Sequence, residues 1–350
     1  MCGISGYISK KKLVRENAIK NTLELMSRRG PDAQKYITSK FGEKELSLIH
    51  SRLSIIDITD RSDQPFVDGH LKLIFNGEIY NYKELKNKLK DKYVFKTNSD
   101  TEVLIKCFRE YGERCVDHFV GMWAFAIWNE KTKELFLSRD NFGEKPLYYF
   151  LCDDGFFFGS EIKFIKSLCN KNFEINKDLI NKNLFLGYKS LNKQNQTFYK
   201  EIKILENSTN ITLNLNLELK FKKYWIPESR VDKNLNKEDI NEIFKQKIIE
   251  SLKFRLRSDV PLAFCLSGGV DSGSLSSIAS KILNRNINTF SIIDEDRRYN
   301  EEENIDSVTQ DLNCVSHKIR LGKKKDSFFD RMNDLVRYHD GPLATISYYV

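Results

Sequence analysis

No apolar run in this sequence approaches the roughly 18–20 residues that a membrane span requires. The start, Met1-Cys2-Gly3-Ile4-Ser5-Gly6, lacks the basic segment and apolar stretch of a secretory leader, so none is expected. Seven cysteines (Cys2, Cys107, Cys115, Cys152, Cys169, Cys265 and Cys314) form no CxxC pair and are odd in number. That pattern argues against a disulfide framework or zinc site and for a reducing compartment, with the cytoplasm as the expected location. Five scattered histidines include no HExxH, and there is no internal repeat.

What is present describes a soluble globular chain: 350 residues, 40% hydrophobic and 30% charged, a length for two domains. The net charge of +8 comes from 57 basic and 49 acidic groups. Its only local excesses, such as Lys10-Lys11-Lys12 and Lys323-Lys324-Lys325, read as solvated surface, without the clustered basic face that nucleic acid needs.

The first two hundred residues read mostly as short strands. Ile4–Ile8, Leu46–His50, Leu71–Phe75, Met122–Trp128, Glu134–Ser138, Leu147–Leu151 and Phe156–Phe158 are β-branched or aromatic runs. The aromatics of Tyr148-Tyr149-Phe150 and Phe156-Phe157-Phe158 are expected in sheet core rather than stacked on bases. Ile19, Leu23 and Met26, and Val103, Leu104 and Phe108, recur at helical spacing. The sum predicts an α+β domain of stacked antiparallel sheets with helices outside. Residues 207–237 predict its last strands, around Ile211–Leu215, and then a linker, with Lys220-Phe221-Lys222-Lys223 exposed in it. From there strands alternate with helices. Helices are predicted over Lys237–Lys253, Ser272–Leu283, Glu302–Leu312 and up to about His339, strands over Leu262–Leu266, Thr289–Ile293 and Ser316–Arg320. That rhythm predicts an α/β doubly wound parallel sheet. Three strands leave an edge unpaired, and Tyr348-Tyr349-Val350 has no cap, so the chain is expected to be truncated.

Cys2 would pass for a small apolar residue were it not at position two. Removal of Met1 would put a thiol and an α-amine of pKa about 7.7–8.0 on one residue, nucleophile beside base. Asn76-Gly77, after the strand Leu71–Phe75, is a hairpin signal, yet the Asn76 amide and Gly77 N–H can also converge on a developing oxyanion. Arg52, in Arg52-Leu53-Ser54-Ile55-Ile56-Asp57, carries a guanidinium suited to a bidentate carboxylate grip. Asp100, in Ser99-Asp100-Thr101-Glu102, either caps a helix or receives a substrate ammonium. Together they describe a pocket for an amino acid with a reactive side-chain carbonyl.

A second set lies at Ser267-Gly268-Gly269-Val270-Asp271-Ser272, between an apolar strand and a helix. It is not a Walker A loop, but two glycines and a helix N-terminus suit a closely approaching phosphate. By chance SGGxDS arises in roughly one chain in two thousand of this length, which favours a site over an ordinary capped turn.

Met1-Cys2-Gly3-Ile4, Arg29-Gly30-Pro31-Asp32, Arg52–Asp57, Asn76–Asn81 and Ser99–Glu102 stand in the order found in class II (N-terminal-nucleophile) glutamine amidotransferases, which the first half resembles. The resemblance implies an Ntn-hydrolase-like fold, Cys2 as nucleophile, Asn76 and Gly77 as oxyanion hole, and Arg52, Asn76, Glu78 and Asp100 as contacts to glutamine. Related β-lactam synthetases lack this cysteine, so its presence implies an intact glutaminase. The second loop resembles that of ATP pyrophosphatases. By that resemblance Ser267, Gly268, Gly269, Asp271 and Ser272 cradle the pyrophosphate, the backbones of Leu266 and Ile292 flank the adenine, and Asp271 holds Mg2+. The pair, with Arg257-Ser258-Asp259-Val260-Pro261 before the loop, is similar to glutamine-hydrolysing asparagine synthetase over essentially the whole chain.

The implied division is a glutaminase domain at 2–206, last strands and linker at 207–237 and a partial synthetase domain at 238–350. The implied reaction amidates L-aspartate with ammonia from L-glutamine, using ATP and releasing AMP and pyrophosphate. No nucleic acid or membrane partner is expected, and a homodimer is left open. The family's second phosphate loop, SGEGxDE, has no match in residues 273–350, so the synthetase site is expected to be incomplete. Two alternatives stand beside this reading: amidation of another carboxylate, and a non-catalytic regulatory protein of the same fold.

Overall fold

The structure is a computed structural model and describes residues 1–11, 14–187, 195–229, 235–296, 298–320 and 327–342. The segments Lys323–Lys325 and Tyr348–Val350, and Lys12, lie outside the described residues. Two compact units emerge, one of Met1–Glu228 with the described part of Asp334–Thr345, the other of Ser229–Asn333 in its described part. The stretch after Asp334, read from the sequence as synthetase domain, clusters with the first unit.

In the first unit, six strands form one antiparallel sheet: β1 (Gly3–Ser9), β2 (Ala33–Phe41), β3 (Lys44–Arg52), β8 (Tyr148–Cys152), β9 (Gly155–Gly159) and β10 (Lys203–Ile204), ordered β10-β8-β9-β1-β3-β2. A second antiparallel sheet contains β4 (Phe66–Asp68), β5 (Leu71–Ile79), β6 (Gly121–Asn129), β7 (Glu134–Arg139), β11 (Thr209–Asn214) and β12 (Leu219–Lys223), ordered β12-β11-β7-β6-β5-β4. Side chains alternate across each strand, so successive residues feed different cores. Ile74, Ala124, Ala126 and Trp128 meet Ile4, Ile8, Leu46, Leu48 and Phe158 between the sheets. Leu73, Phe75, Phe125 and Ile127 face the other way, toward Leu85 and Leu89 of α2 (Tyr82–Leu89) and Val103 and Leu104 of α3 (Asp100–Tyr111). On the far side Tyr7, Ile49 and Phe157 pack with Ile19 and Met26 of α1 (Glu16–Met26) and Phe164 and Ile165 of α4 (Ile162–Cys169). The result is helix, sheet, sheet, helix: the expected stacked sheets, with both faces covered. Double coverage explains why β6 and β9 read as continuous apolar runs rather than alternating ones.

β12 corrects one expectation. Lys220–Lys223 is an exposed edge strand paired with β11, not linker, and its lysines are of the kind that discourage edge-to-edge pairing. The short α5 (Lys177–Leu186) had no expected counterpart.

The second unit holds α6 (Lys237–Arg255), β13 (Ala263–Cys265), α7 (Val270–Ser277), β14 (Asn288–Ile293), α8 (Glu302–Leu312) and β15 (Val315–Arg320). α9 (Phe328–His339) follows; its residues up to Asn333 cluster with the second unit and those from Asp334 with the first. α7 continues into a single π-helical turn, Ile278–Ile282. The described strands are parallel and lie in the order β13-β14-β15. α6 starts on a capping box in which Asn236 and Asp239 satisfy each other's backbone N–H.

Candidate active site

The residues read as glutaminase machinery come together. A cavity of about 280 Å³ in the first unit is lined by Cys2, Arg52, Asn76, Gly77, Glu78 and Asp100, with Gln64, Thr101, Met122 and Lys145 beside them.

Cys2 sits just ahead of β1. Its carbonyl accepts Arg29 Nε–H at 2.9 Å, and Arg29 Nη1 pairs with Glu161 at 2.8 Å. Its sulfur receives the Leu53 N–H at 3.4 Å. Burial pushes the Cys2 thiol above its ordinary pKa, more than the Leu53 N–H pulls it down. The resting sulfur is therefore protonated, and attack on a carbonyl requires a nearby base.

Asn76 and Gly77 do not form a hairpin turn. Both lie inside β5, opposite Ala124 and Trp123 of β6. Alternation puts Asn76 on the same face as Ile74, and two residues further along that face it reaches the cavity. Asn76 is 1% exposed, yet neither its Nδ2 nor its Oδ1 has a hydrogen-bond partner among the described residues. A buried amide left unpaired costs about 1–3 kcal/mol, so its donor is held in reserve for a ligand. A Cβ on Gly77 would stand 2.1 Å from the Met122 carbonyl oxygen, so only glycine keeps this backbone close to β6.

The strand under these residues is braced from both sides. His50 of β3 reaches across the sandwich to the Phe75 carbonyl at 3.1 Å, and burial lowers its pKa to about 4, leaving a neutral Nε2–H donor. Gln64 accepts the Phe75 N–H at 2.6 Å and donates to Thr101 Oγ1 at 3.3 Å, tying β5 to α3.

Arg52 differs from the expected open clamp. Nη1 donates to Thr59 O at 2.7 Å and Asp63 Oδ1 at 2.8 Å, and Nη2 donates to the carbonyls of Ile56 and Asp57. The guanidinium braces residues 56–63 around the cavity. Asp57, at the end of the same motif, accepts the Asn98 N–H at 2.7 Å and so joins that loop to the start of α3.

Asp100 is not the helix cap; Ser99 is, accepting the Thr101 N–H at 3.1 Å. The Asp100 carboxylate is buried and accepts the Ile79 N–H at 3.0 Å. Burial raises Asp100 to about 6, against the pull of those N–H groups. Glu78 is raised to about 7, by burial first and then by the charge of Asp100. Two carboxylates made costly to ionise side by side suit an incoming ammonium, which relieves both.

Gln64 and Lys145 were not singled out in the sequence. Neither stands in a chemically suggestive spacing; a glutamine before Pro65 and a lysine in Gly143-Glu144-Lys145-Pro146 look like loop residues until the fold brings them to Cys2.

The loop after β13 in the second unit has the expected strand-to-helix setting. Gly268 has φ +83°, and a Cβ there would meet Glu301 Cβ at 2.9 Å. Ser267 N–H donates to Ser272 Oγ at 3.2 Å, and Ser272 Oγ–H donates to the Gly269 carbonyl at 3.2 Å, closing the turn over the first residues of α7. Asp271 is exposed in the first turn of α7. Leu266 donates its N–H to the Phe290 carbonyl of β14, and Ile292 follows on that strand toward the same carboxyl ends. This open backbone cradle fits a phosphate, and Asp271 is a carboxylate beside it that could hold a hard cation. Among the described residues, no group of three or more His, Cys, Asp or Glu forms a protein-only metal site. Among them, too, no helix is long and apolar enough to cross a membrane.

Comparison with known proteins follows the same division. A family model described as "Glutamine amidotransferase domain" matches residues 1–225, and one described as "Asparagine synthase" matches residues 244–349. Asparagine synthetase [glutamine-hydrolyzing] 1 of Bacillus subtilis is 31% identical over 351 residues, covering 98% of this chain and 54% of its own. A Methanocaldococcus jannaschii protein named as a second glutamine-hydrolyzing asparagine synthetase is 33% identical over 368 residues, 99% of this chain and 70% of its own. Amidase chry2 of Gibberella zeae is 31% identical over 301 residues, 81% of this chain and 43% of its own. The chain thus spans about half of the Bacillus protein's length and more of the Methanocaldococcus one.

Proposed function

The chain belongs to the glutamine-hydrolysing asparagine synthetase family, and from that premise we propose that it hydrolyses L-glutamine at Cys2 to supply ammonia for an ATP-dependent amidation of L-aspartate. The observation that carries the first half is the one cavity joining Cys2 to an Asn76 amide unpartnered among the described residues and to two carboxylates whose charged forms burial disfavours. With Met1 removed, the Cys2 amine takes the thiol proton and the sulfur attacks the glutamine side-chain carbonyl carbon. The oxygen, now negative, is held by Asn76 Nδ2–H and the Gly77 N–H. The proton passes to the leaving nitrogen, ammonia departs, and water hydrolyses the γ-glutamyl thioester to glutamate. Glu78 and Asp100 take the substrate ammonium, and Arg52, which lines the same cavity, meets its carboxylate.

For the second half, ATP would lie over Ser267, Gly268, Gly269 and Ser272, with Leu266 and Ile292 beside the adenine and Asp271 toward Mg2+. ATP would supply the adenylyl group: the aspartate β-carboxylate attacks its α-phosphorus, pyrophosphate leaves, and ammonia then displaces AMP from the resulting aspartyl adenylate. The seven free cysteines fit the cytoplasm as the place of work.

Glutamate release from glutamine by this chain tests the reading. Activity that disappears in Cys2→Ala supports it; activity unchanged in that variant refutes it. Aspartate-dependent AMP formation by a chain of the relatives' full length tests the acceptor, and ATP–pyrophosphate exchange with another carboxylate instead would reassign it.

A further inference from the structure

We propose that Lys145 is a positioning residue that holds the Cys2 amine in its neutral, proton-accepting form once Met1 is gone, an inference resting on the glutaminase reading above. The segment carrying it is tightly built. The Asp140 carboxylate accepts N–H groups from Trp123 at 3.2 Å, Phe142 at 3.1 Å, Glu144 at 2.9 Å and Lys145 at 2.9 Å. Arg139 Nε donates to the Lys145 carbonyl at 2.7 Å. This clasp fixes the backbone from which the side chain enters the cavity.

Lys145 is 6% exposed, and its Nζ donates to Met1 Sδ at 3.4 Å, which places the ammonium beside residue 1. A thioether is a weak acceptor, and among the described residues no carboxylate forms an ion pair with Lys145. Arg29, the other cation near the terminus, is matched to Glu161 at 2.8 Å. A buried ammonium without a matched anion is costly, so one kept at a reactive centre signals an electrostatic role.

The role follows from the sign of the charge. A cation a few ångströms from an amine disfavours its protonated form and lowers its pKa. The Met1 amine already lies below its ordinary value, through burial first, with Arg29 and Lys145 acting in the same direction and Cys2 and Asp32 against them. The other charged groups facing this spot are Glu78 from β5, Asp100 from α3, Arg52 from β3 and Glu144 beside Lys145. Glu78 and Asp100 are themselves raised to about 7 and about 6, so near neutrality they oppose Lys145 with less than full charge.

The amine can be titrated without any turnover. Formaldehyde condenses with a terminal cysteine to a thiazolidine: C–N and C–S bonds form at the aldehyde carbon and its oxygen leaves as water. Forming the C–N bond needs the neutral amine, so the rate of thiazolidine formation against pH reports the amine pKa. In the full chain, Lys145→Met and Lys145→Gln are expected to raise that midpoint by about one pH unit, the size of one charge several ångströms away. The acid limb of kcat/KM for glutamine should move with it, kcat at pH 7 falling about tenfold and KM changing less than threefold. Lys145→Arg, which keeps the charge, should restore both. An unmoved condensation midpoint in both neutral variants overturns the proposal, as does an effect confined to KM, which would make Lys145 a substrate contact. A chain whose midpoint shifts but which shows no Cys2-dependent glutaminase would instead refute the catalytic reading while leaving the Lys145–amine coupling standing.

Discussion

Asn76 isolates one chemical effect at the level of single residues. Its side-chain amide pairs with no other described residue, so Asn76→Ala would remove the proposed oxyanion donor and little else. Glutaminase kcat should fall about 10²–10³-fold with KM changed far less, checked by steady-state glutamate release. The carboxylates give a pH signature. Glu78 at about 7 and Asp100 at about 6 must be ionised to hold an ammonium, so KM for glutamine should rise as pH falls from 7.5 to 5.5. For stability the sign is opposite. Both groups lie above their ordinary values of 4.5 and 3.8, so between those values and their folded ones the folded chain binds more protons than the unfolded one. Stability contributed by these groups is therefore full at low pH and lost as pH rises through 6 to 7. Melting scans should show that slope in the wild type and less of it in Glu78→Gln. Cys2, Asn76 and Asp100 were legible because each is chemically distinctive and stands in a recognisable neighbourhood, whereas Glu78 came only with the family resemblance. Lys145 and Gln64 were not legible, because their neighbourhoods are made of residues far away in the chain.

Individual elements matter here for where they stop and what holds their ends. β5 runs two turns of its alternation past the apolar stretch Leu71–Phe75, carrying Asn76–Ile79 as strand. The Asn-Gly pair looks like a turn locally, but the ladder to β6 overrides that preference, as strand pairing commonly overrides local propensity. Gly77→Ala should lose glutaminase and destabilise the first unit by at least about 1–3 kcal/mol, since its Cβ cannot coexist with the Met122 carbonyl. At the start of α3, buried Glu102 accepts the N–H groups of Lys96 and Thr97 and the Thr97 hydroxyl. Replacing it with alanine strands those donors, and chemical denaturation of Glu102→Ala should show a loss of about 2–4 kcal/mol. Because this loop leads into Asp100, KM for glutamine should rise as well. Helices α1 and α3 were legible from spacing, whereas β2 and β10 were not. β2 is solvated along much of its length and lacks the apolar pattern, so its partner β3 defines it.

Across the whole molecule, the two candidate sites lie in separate compact units, each with its own core. Asp271→Asn should therefore weaken ATP binding, measured by calorimetry, while glutamate release from glutamine stays within about twofold of wild type. What the sequence determined alone was local: a cysteine at position two with the chemically distinctive residues proposed around it, a glycine-rich loop between strand and helix, and the change from antiparallel to alternating architecture. These are local facts, set by side-chain chemistry, period and short-range backbone freedom. Only the tertiary structure decided that Arg52 braces a loop rather than standing open, that Ser99 and not Asp100 caps α3, and that Lys145 lies beside residue 1. Those outcomes depend on which distant groups compete for the same donors and acceptors, and that competition is settled only when β1, β3, β5 and α3 converge on one cavity.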